Sequence, residues 1–264
     1  MTVTEALRLA ERQLADAGVD TPRVDAELLL AHVLGTSRSG VYGQPEREVP
    51  GTWQVLLERR CRREPLAYVL GEWGFRRLVL RADTRALVPR PETEVVVERC
   101  LELLRGEQEP RVVDVGTGTG AIALALADEQ PGARVVAVDT SAAAVELARE
   151  NAERLQLDIE IRQCDFDVAA EGWDLVVSNP PYVTPAEWES LQPEITEWEP
   201  RDALVGVGLH ARLAEVAKTR WLVLEVGERQ AADVAETLAS LGYADVVVTA
   251  DLAGKPRVVE GRRT

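Results

Sequence analysis

A chain of 264 residues, 46% hydrophobic and 28% charged, has the balance of an ordinary globular protein and the length of one large domain or two modest ones. Its formal net charge of -15 is uneven: residues 1–84 carry 12 acids and 12 bases, whereas the remainder carries 33 acids and 18 bases. An acidic main region is repelled by a phosphate backbone, which argues against a general duplex-DNA binder, and no apolar run approaches the roughly 20 residues needed to span a bilayer.

The opening residues form an amphipathic helical pattern without a signal-peptide apolar core, so a cytoplasmic protein with no membrane partner is expected. Cys61, Cys100 and Cys164 are scattered, and with only His32 and His210 beside them they show no metal-ligand spacing. They read as reduced thiols, with no metal implied. Neither histidine has an acid or nucleophile partner visible in sequence.

From Thr4 to about Glu64 apolar residues recur at helical spacing (Leu7, Leu14, Ala26, Leu29, Leu30, Val33), which predicts a small helical domain over residues 1–66. Within it Arg59, Arg60, Arg62 and Arg63 form either a solvated helix face or a local basic patch. Residues 68–75 and 78–80 alternate like short strands among glycines, predicting a hairpin linker over 67–85. Over 86–264 helices and strands alternate: helix 95–104, strand 111–115, helix 121–129, strand 134–139, helix 142–155, strands 159–163 and 175–178, helix 209–218, strand 221–226, helix 229–241, and two closing strands near 244–249 and 257–260. That order predicts an α/β fold, a doubly wound parallel sheet of seven strands whose last pair makes an antiparallel edge.

The stretch VVDVGTGTGAI sets Asp114 at a strand end, then Gly116, Thr117, Gly118, Thr119 and Gly120, then a helix. Glycines there let the backbone turn tightly and approach a ligand at the free N–H groups of a helix amino terminus. The same residues satisfy a loose dinucleotide fingerprint, and Asp139 ends the next strand where an acid can hold ribose hydroxyls. Two features favour S-adenosylmethionine instead. Asp114 suits a ligand carrying an ammonium and a sulfonium, and Asp165 with Phe166 after the third strand can accept from an adenine amino group and cover its ring.

After the apolar run 173–177 comes SNPPYV. A residue before proline is pushed out of the helical region and prolines lack N–H donors, so Asn179 is held extended in a backbone rich in acceptors. The Asn179 side-chain oxygen and the Pro180 carbonyl can receive two hydrogen bonds from a substrate NH2 group, with Pro181 stiffening the turn and Tyr182 stacking on the planar remainder. An amide or nucleobase NH2 is a poor nucleophile, and two acceptors can aim its lone pair at a sulfonium methyl. Asn179, Pro180 and Tyr182 are therefore the expected catalytic residues.

Together DVGTGTG, AVDTS, VSNPPYV, the preceding LVPRPETE and the following EWEPRDAL resemble the release factor glutamine methyltransferase family over nearly the whole chain. The resemblance implies a Rossmann-like class I S-adenosylmethionine-dependent methyltransferase that methylates the glutamine amide of the Gly-Gly-Gln loop in class I peptide chain release factors. It implies that residues 116–120, Asp139, Phe166 and Asn179 meet the cofactor, that Asn179 to Tyr182 grip the glutamine, and that the helical domain helps to hold the release factor. The product would be S-adenosylhomocysteine, and the expected state is a monomer. NPPY alone is shared with adenine-amino DNA methyltransferases and ribosomal RNA methylases, so an amino-methyltransferase of nucleic acid is the alternative; it needs a positive face that only residues 59–63 offer. Arg90 and Glu92 are expected either to close over the cofactor or to pair with each other and cap the following helix.

Overall fold

The computed structural model describes residues 1–263, in which the chain divides into two compact units. The first comprises Met1–Glu72 with Leu191–Trp198, and the second Trp73–Ser190 with the chain from Glu199 onward.

The first unit is helical: α1 (Val3–Asp16), α2 (Pro22–Leu34), α3 (Arg38–Tyr42), α4 (Thr52–Cys61) and α5 (Leu66–Leu70). A capping box between Thr2 and Glu5 starts α1, Pro22 starts α2, and Gly35 in the left-handed region ends it. Leu7, Ala10 and Leu14 of α1 and Ala26, Leu29 and Leu30 of α2 are buried, as their spacing requires. The segment expected to begin a strand at residue 68 instead forms α5. Its residues 66–69 are buried on every side, so packing overrides the short alternation, and Gly71 at φ +77° turns the chain out of the helix.

The arginine run is turned inward. Arg60 is buried, donating through Nε to Asp25 at 2.7 Å and through Nη1 to Glu194 at 2.8 Å. Arg63 grips both oxygens of Glu194 at 2.6 Å, and Arg59 pairs with Glu64. Of the four, only Arg62 is exposed. Neither a wholly solvated face nor a free basic patch describes this cluster. Glu194 lies on α10 (Pro193–Thr196), a segment the sequence assigns to the other domain, and these ion pairs are what bring residues 191–198 into the helical unit.

A hairpin follows, β1 (Glu72–Phe75) and β2 (Leu78–Arg81), which from Trp73 onward is grouped with the second unit. There follow α6 (Thr93–Leu103), β3 (Arg111–Val115), α7 (Ala121–Glu129), β4 (Arg134–Asp139), α8 (Ala142–Leu155) and β5 (Glu160–Gln163). Then come a 3-10 turn at Phe166–Glu171, β6 (Trp173–Ser178), α9 (Pro185–Trp188), α11 (Leu209–Val216), β7 (Thr219–Glu225), α12 (Ala231–Ser240), β8 (Ala244–Ala250) and β9 (Pro256–Arg262). The sheet order is β5-β4-β3-β6-β7-β9-β8: β3 to β7 run parallel, and β9 runs antiparallel to both of its neighbours, β7 and β8. The expected seven-stranded sheet with an antiparallel edge is what forms, because β8 and β9 are joined by a short turn and not by a crossover helix.

Strand residues alternate between two cores. Val112, Ala137, Val177 and Val223 pack with α6 and α7, whereas Val113, Val138, Val176 and Leu222 pack with α11 and α12. Both faces are covered, so the parallel strands read as unbroken apolar runs. The order reverses beside β3, with β4 and β5 on one side and β6 and β7 on the other, which opens a crevice at the carboxyl ends of the central strands.

Removing one partner from the buried charge cluster leaves the others unpaired, so Arg60→Ala is expected to cost about 3 kcal/mol in a urea melt. A loss under about 1 kcal/mol would show that the cluster is not what ties α2, α4 and α10 together.

Candidate active site

Strand register builds the site. Val115 pairs with Val138 and with Ser178, and Ser178 with Leu224, so one residue further on Asp139, Gly116, Asn179 and Glu225 stand in a row along the carboxyl edge. By the alternation of the strands, all four positions share the face covered by α6 and α7.

A cavity of about 610 Å³ opens over Asp139, Gly116 and Asn179 of this row, within the size range of small-ligand sites. Its floor includes Gly116, Thr117, Gly118 and Thr119, with Asp139, Asp165 and Phe166 on one side and Asn179, Pro180 and Pro181 on the other. The glycine loop is held by its neighbours. The Gly116 and Thr117 N–H groups both donate to the Val138 carbonyl at 2.9 Å, and Gly118 N–H donates to Asp139 Oδ2 at 2.9 Å. Asn151, fully buried on α8, donates to the Thr119 carbonyl at 2.9 Å and accepts from Arg81 N–H at 2.7 Å, fastening the loop to β2. Gly116 sits at φ +77°, and a Cβ placed on it would meet nothing within 4 Å. A side chain there would project into open space beside the cavity lining.

Three expected site residues lie outside the cavity lining, and each has a physical reason. Asp114 alternates to the α7 side of β3 and is fully buried beneath the loop. Its Oδ2 accepts from the Thr117 hydroxyl at 2.6 Å and from Ala123 N–H at 3.3 Å, which makes it a brace for the loop rather than a ligand contact. Gly120 starts α7 at φ +84°, and a Cβ there would approach Leu124 Cδ1 to 2.9 Å, so it serves the turn and its packing. Tyr182 turns its ring toward His210, with centroids 6.2 Å apart, and its hydroxyl donates to Glu225 Oε1 at 3.4 Å. Burial pushes the Tyr182 phenol up to about 12.

Further groups stand around the cavity. Arg90 lines it and grips both carboxylate oxygens of buried Glu199, at 2.7 and 2.8 Å, rather than pairing with Glu92. This joins PRPETE to EWEPRDAL, and Pro200, Asp202 and Ala203 complete that wall. Glu92 occupies the N-cap position of α6 without a capping side-chain bond. Arg212 of α11 stands over the Phe166 ring at 5.4 Å and 3.5 Å from Asp165, closing that end electrostatically. Asp165 also accepts from Phe166 N–H at 2.6 Å, fixing the turn that presents the ring. His210 is buried, bonded at 2.8 Å to the Glu225 carbonyl, and desolvation lowers its basicity, so it packs as a neutral ring. The Cys164 thiol lines the cavity with burial pushing its pKa up, so it is protonated and unreactive.

Desolvation raises the Asp114 carboxyl to about 7, against the two hydrogen bonds that favour its charged form. The unfolded chain ionises this group near the usual carboxylate range while the folded chain resists, so its contribution to stability is full in acid and lost as pH rises from about 4 to 7. Asp114→Asn lacks that titration. Its melting temperature relative to the parent is expected to improve steadily across this window; parallel profiles would contradict a buried, high-pKa Asp114.

Two family models match the chain, the PrmC N-terminal domain over residues 5–71 and the methyltransferase small domain over residues 94–196. A release factor glutamine methyltransferase of Deinococcus radiodurans is 40% identical over 280 residues, covering 100% of this chain and 99% of its own. That of Vibrio cholerae is 38% identical, covering 99% and 97%. Among solved structures, the hMettl16 catalytic domain in complex with MAT2A 3'UTR hairpin 1 superimposes with a TM-score of 0.60 over 95% of this chain and 91% of its own, at 15% identity, a likeness of fold alone. The α/β sheet is thus of the class I methyltransferase kind, and with relatives of this identity aligned along its whole length the chain belongs to the release factor glutamine methyltransferase family.

Proposed function

We propose that this protein transfers a methyl group from S-adenosylmethionine to the side-chain amide nitrogen of the glutamine in the Gly-Gly-Gln loop of class I peptide chain release factors, leaving S-adenosylhomocysteine. The observation that carries the reading is the placement of Asn179 and Pro180 on the wall of the cavity that the glycine loop and Asp139 floor. The residues fit the cofactor: the open space beside Gly116 is a cradle that a Cβ would fill, and Asp139, Asp165 and Phe166 offer acceptors and a ring along the same edge. Residues 116–119 would hold the amino-acid portion, Asp139 the ribose hydroxyls, and Asp165 with Phe166 the adenine. When bound, the cofactor supplies a methyl group on a sulfonium sulfur.

The chain's own part is to orient the nucleophile. Asn179 is held extended by Pro180, and among the described residues no group donates to the Pro180 carbonyl. The Asn179 oxygen and this carbonyl can take both N–H bonds of a glutamine amide, which directs the nitrogen lone pair along the line of transfer. As the N–CH3 bond forms the S–CH3 bond breaks, and the proton leaves the amide nitrogen. Positioning supplies much of the rate, since no ordinary side chain can deprotonate an amide beforehand. Tyr182, lying against His210, supports the loop from behind. On this reading the protein acts on release factors in the cytoplasm.

The test is incubation with labelled S-adenosylmethionine and a recombinant release factor, intact or with its Gly-Gly-Gln glutamine replaced, beside DNA and ribosomal RNA. Label is expected on the intact factor alone; label on nucleic acid would transfer the same grip to a base NH2 group instead. Asn179→Ala is expected to lower turnover by about 100-fold or more while cofactor affinity changes little. Gly116→Val, which fills the cradle, is expected to do the reverse, abolishing cofactor binding in equilibrium dialysis; undiminished binding by this variant would contradict the assignment of the loop.

A further inference from the structure

Two buried polar groups, Thr93 and Glu225, are linked to Asn179. Thr93, at the head of α6, donates its hydroxyl proton to Glu225 Oε2 at 2.6 Å, and the Asn179 amide lies 3.4 Å from Thr93 Oγ1. Both Thr93 and Glu225 are nearly inaccessible, at 4% and 2% exposure. A hydroxyl has one proton, and while Glu225 is ionised that of Thr93 is committed to the carboxylate. Toward Asn179 it can therefore offer only lone pairs, so the Asn179 atom that faces it must be the NH2 group.

We propose that Thr93 and Glu225 are positioning residues that fix which way round the Asn179 amide sits, turning its oxygen into the cavity as an acceptor. The inference rests on the methyl-transfer reading of that cavity. An unconstrained asparagine amide can flip, and the flipped form would present donors to a substrate NH2 group, which repel it. Glu225 keeps the chain of bonds pointing one way because it accepts from both sides, from Thr93 on Oε2 and from the Tyr182 hydroxyl on Oε1 at 3.4 Å. This also gives Tyr182 a role without contact with the cavity: its hydroxyl holds the second oxygen of the carboxylate.

Several charged or titratable groups face Glu225. Arg257 of β9, itself paired with Asp251 at 3.2 Å, favours the carboxylate, whereas Glu92, next to Thr93, opposes it. Tyr182 donates to it, and neutral His210 holds its main-chain carbonyl. Burial outweighs these and raises Glu225 to about 7. In acid a proton on Oε2 would donate to Thr93 Oγ1, freeing the Thr93 hydroxyl to turn to Asn179 and favour the wrong orientation of the amide. The rate is thus expected to fall as pH drops below about 7 through this group.

The experiment uses the full chain, labelled S-adenosylmethionine and the release factor. Thr93→Val keeps the shape but removes donor and acceptor, and is expected to lower kcat by about tenfold or more, with KM for the factor and affinity for the cofactor within about threefold of the parent. Thr93→Ser restores kcat, and Glu225→Gln removes the acid limb attributed to Glu225. An activity-independent reading comes from the Asn179 side-chain NH2 resonances in nitrogen-15 spectra, which are expected to move in Thr93→Val and return in Thr93→Ser. Parental kcat in Thr93→Val, unmoved Asn179 resonances, or a loss confined to cofactor affinity would each overturn the proposal. If the parent labels no release factor, the functional reading falls, while the resonances still decide the orientation of the amide.

Discussion

Parallel strands β3, β4, β6 and β7, largely buried on both faces, end along one edge of one sheet, and every chemical group of the site depends on that constraint. Parallel pairing puts all carboxyl ends on the same side, and the reversal of order beside β3 leaves a gap that no crossover covers. The register then decides which residues meet there. Asp139, Gly116, Asn179 and Glu225 come from four strands widely separated in sequence, yet each stands one step beyond a paired residue in the ladder. A slip of one residue in any of these strands would turn its member of the row to the opposite face.

Beneath the edge, buried groups act on those that face the cavity. Asp114 braces the loop through Thr117 and Ala123, Asn151 holds Thr119, and Thr93 with Glu225 meets the back of Asn179. Buried polar groups of this kind are costly unless bonded, and here the bonds fall on loop backbone or on a single side-chain amide, which is where rigidity has chemical value. Burial raises both Asp114 and Glu225 to about 7, so the interior behind the site is less charged than the acidic composition suggests.

The sheet, its edge pair and most of the cavity lining were legible because they depend on local patterns: apolar runs of strand length, glycines between strand and helix, and a polar residue before two prolines. The partners across space were not. Nothing in the sequence ties Arg90 to Glu199 or Arg60 to Glu194, since a pairing between residues far apart in the chain leaves no periodic trace. The place of Asp114 was misjudged although the signal existed: counting alternation from Val113 and Val115, which face α11 and α12, sends Asp114 under α7. Thr184 with Glu187 was a second readable signal, a capping box that starts α9 directly after the proline loop. Residues 68–70 were misread because a short apolar run beside glycines cannot distinguish a strand from a buried helix.

The central claim is that Asn179 presents an acceptor to a glutamine amide. A crystal structure with S-adenosylhomocysteine and a Gly-Gly-Gln peptide tests it most directly. The expected result places the glutamine nitrogen about 3 Å from both Asn179 Oδ1 and the Pro180 carbonyl, with Asn179 Nδ2 on Thr93. A glutamine amide bound elsewhere in the cavity, or an Asn179 NH2 group turned toward it, would contradict the claim.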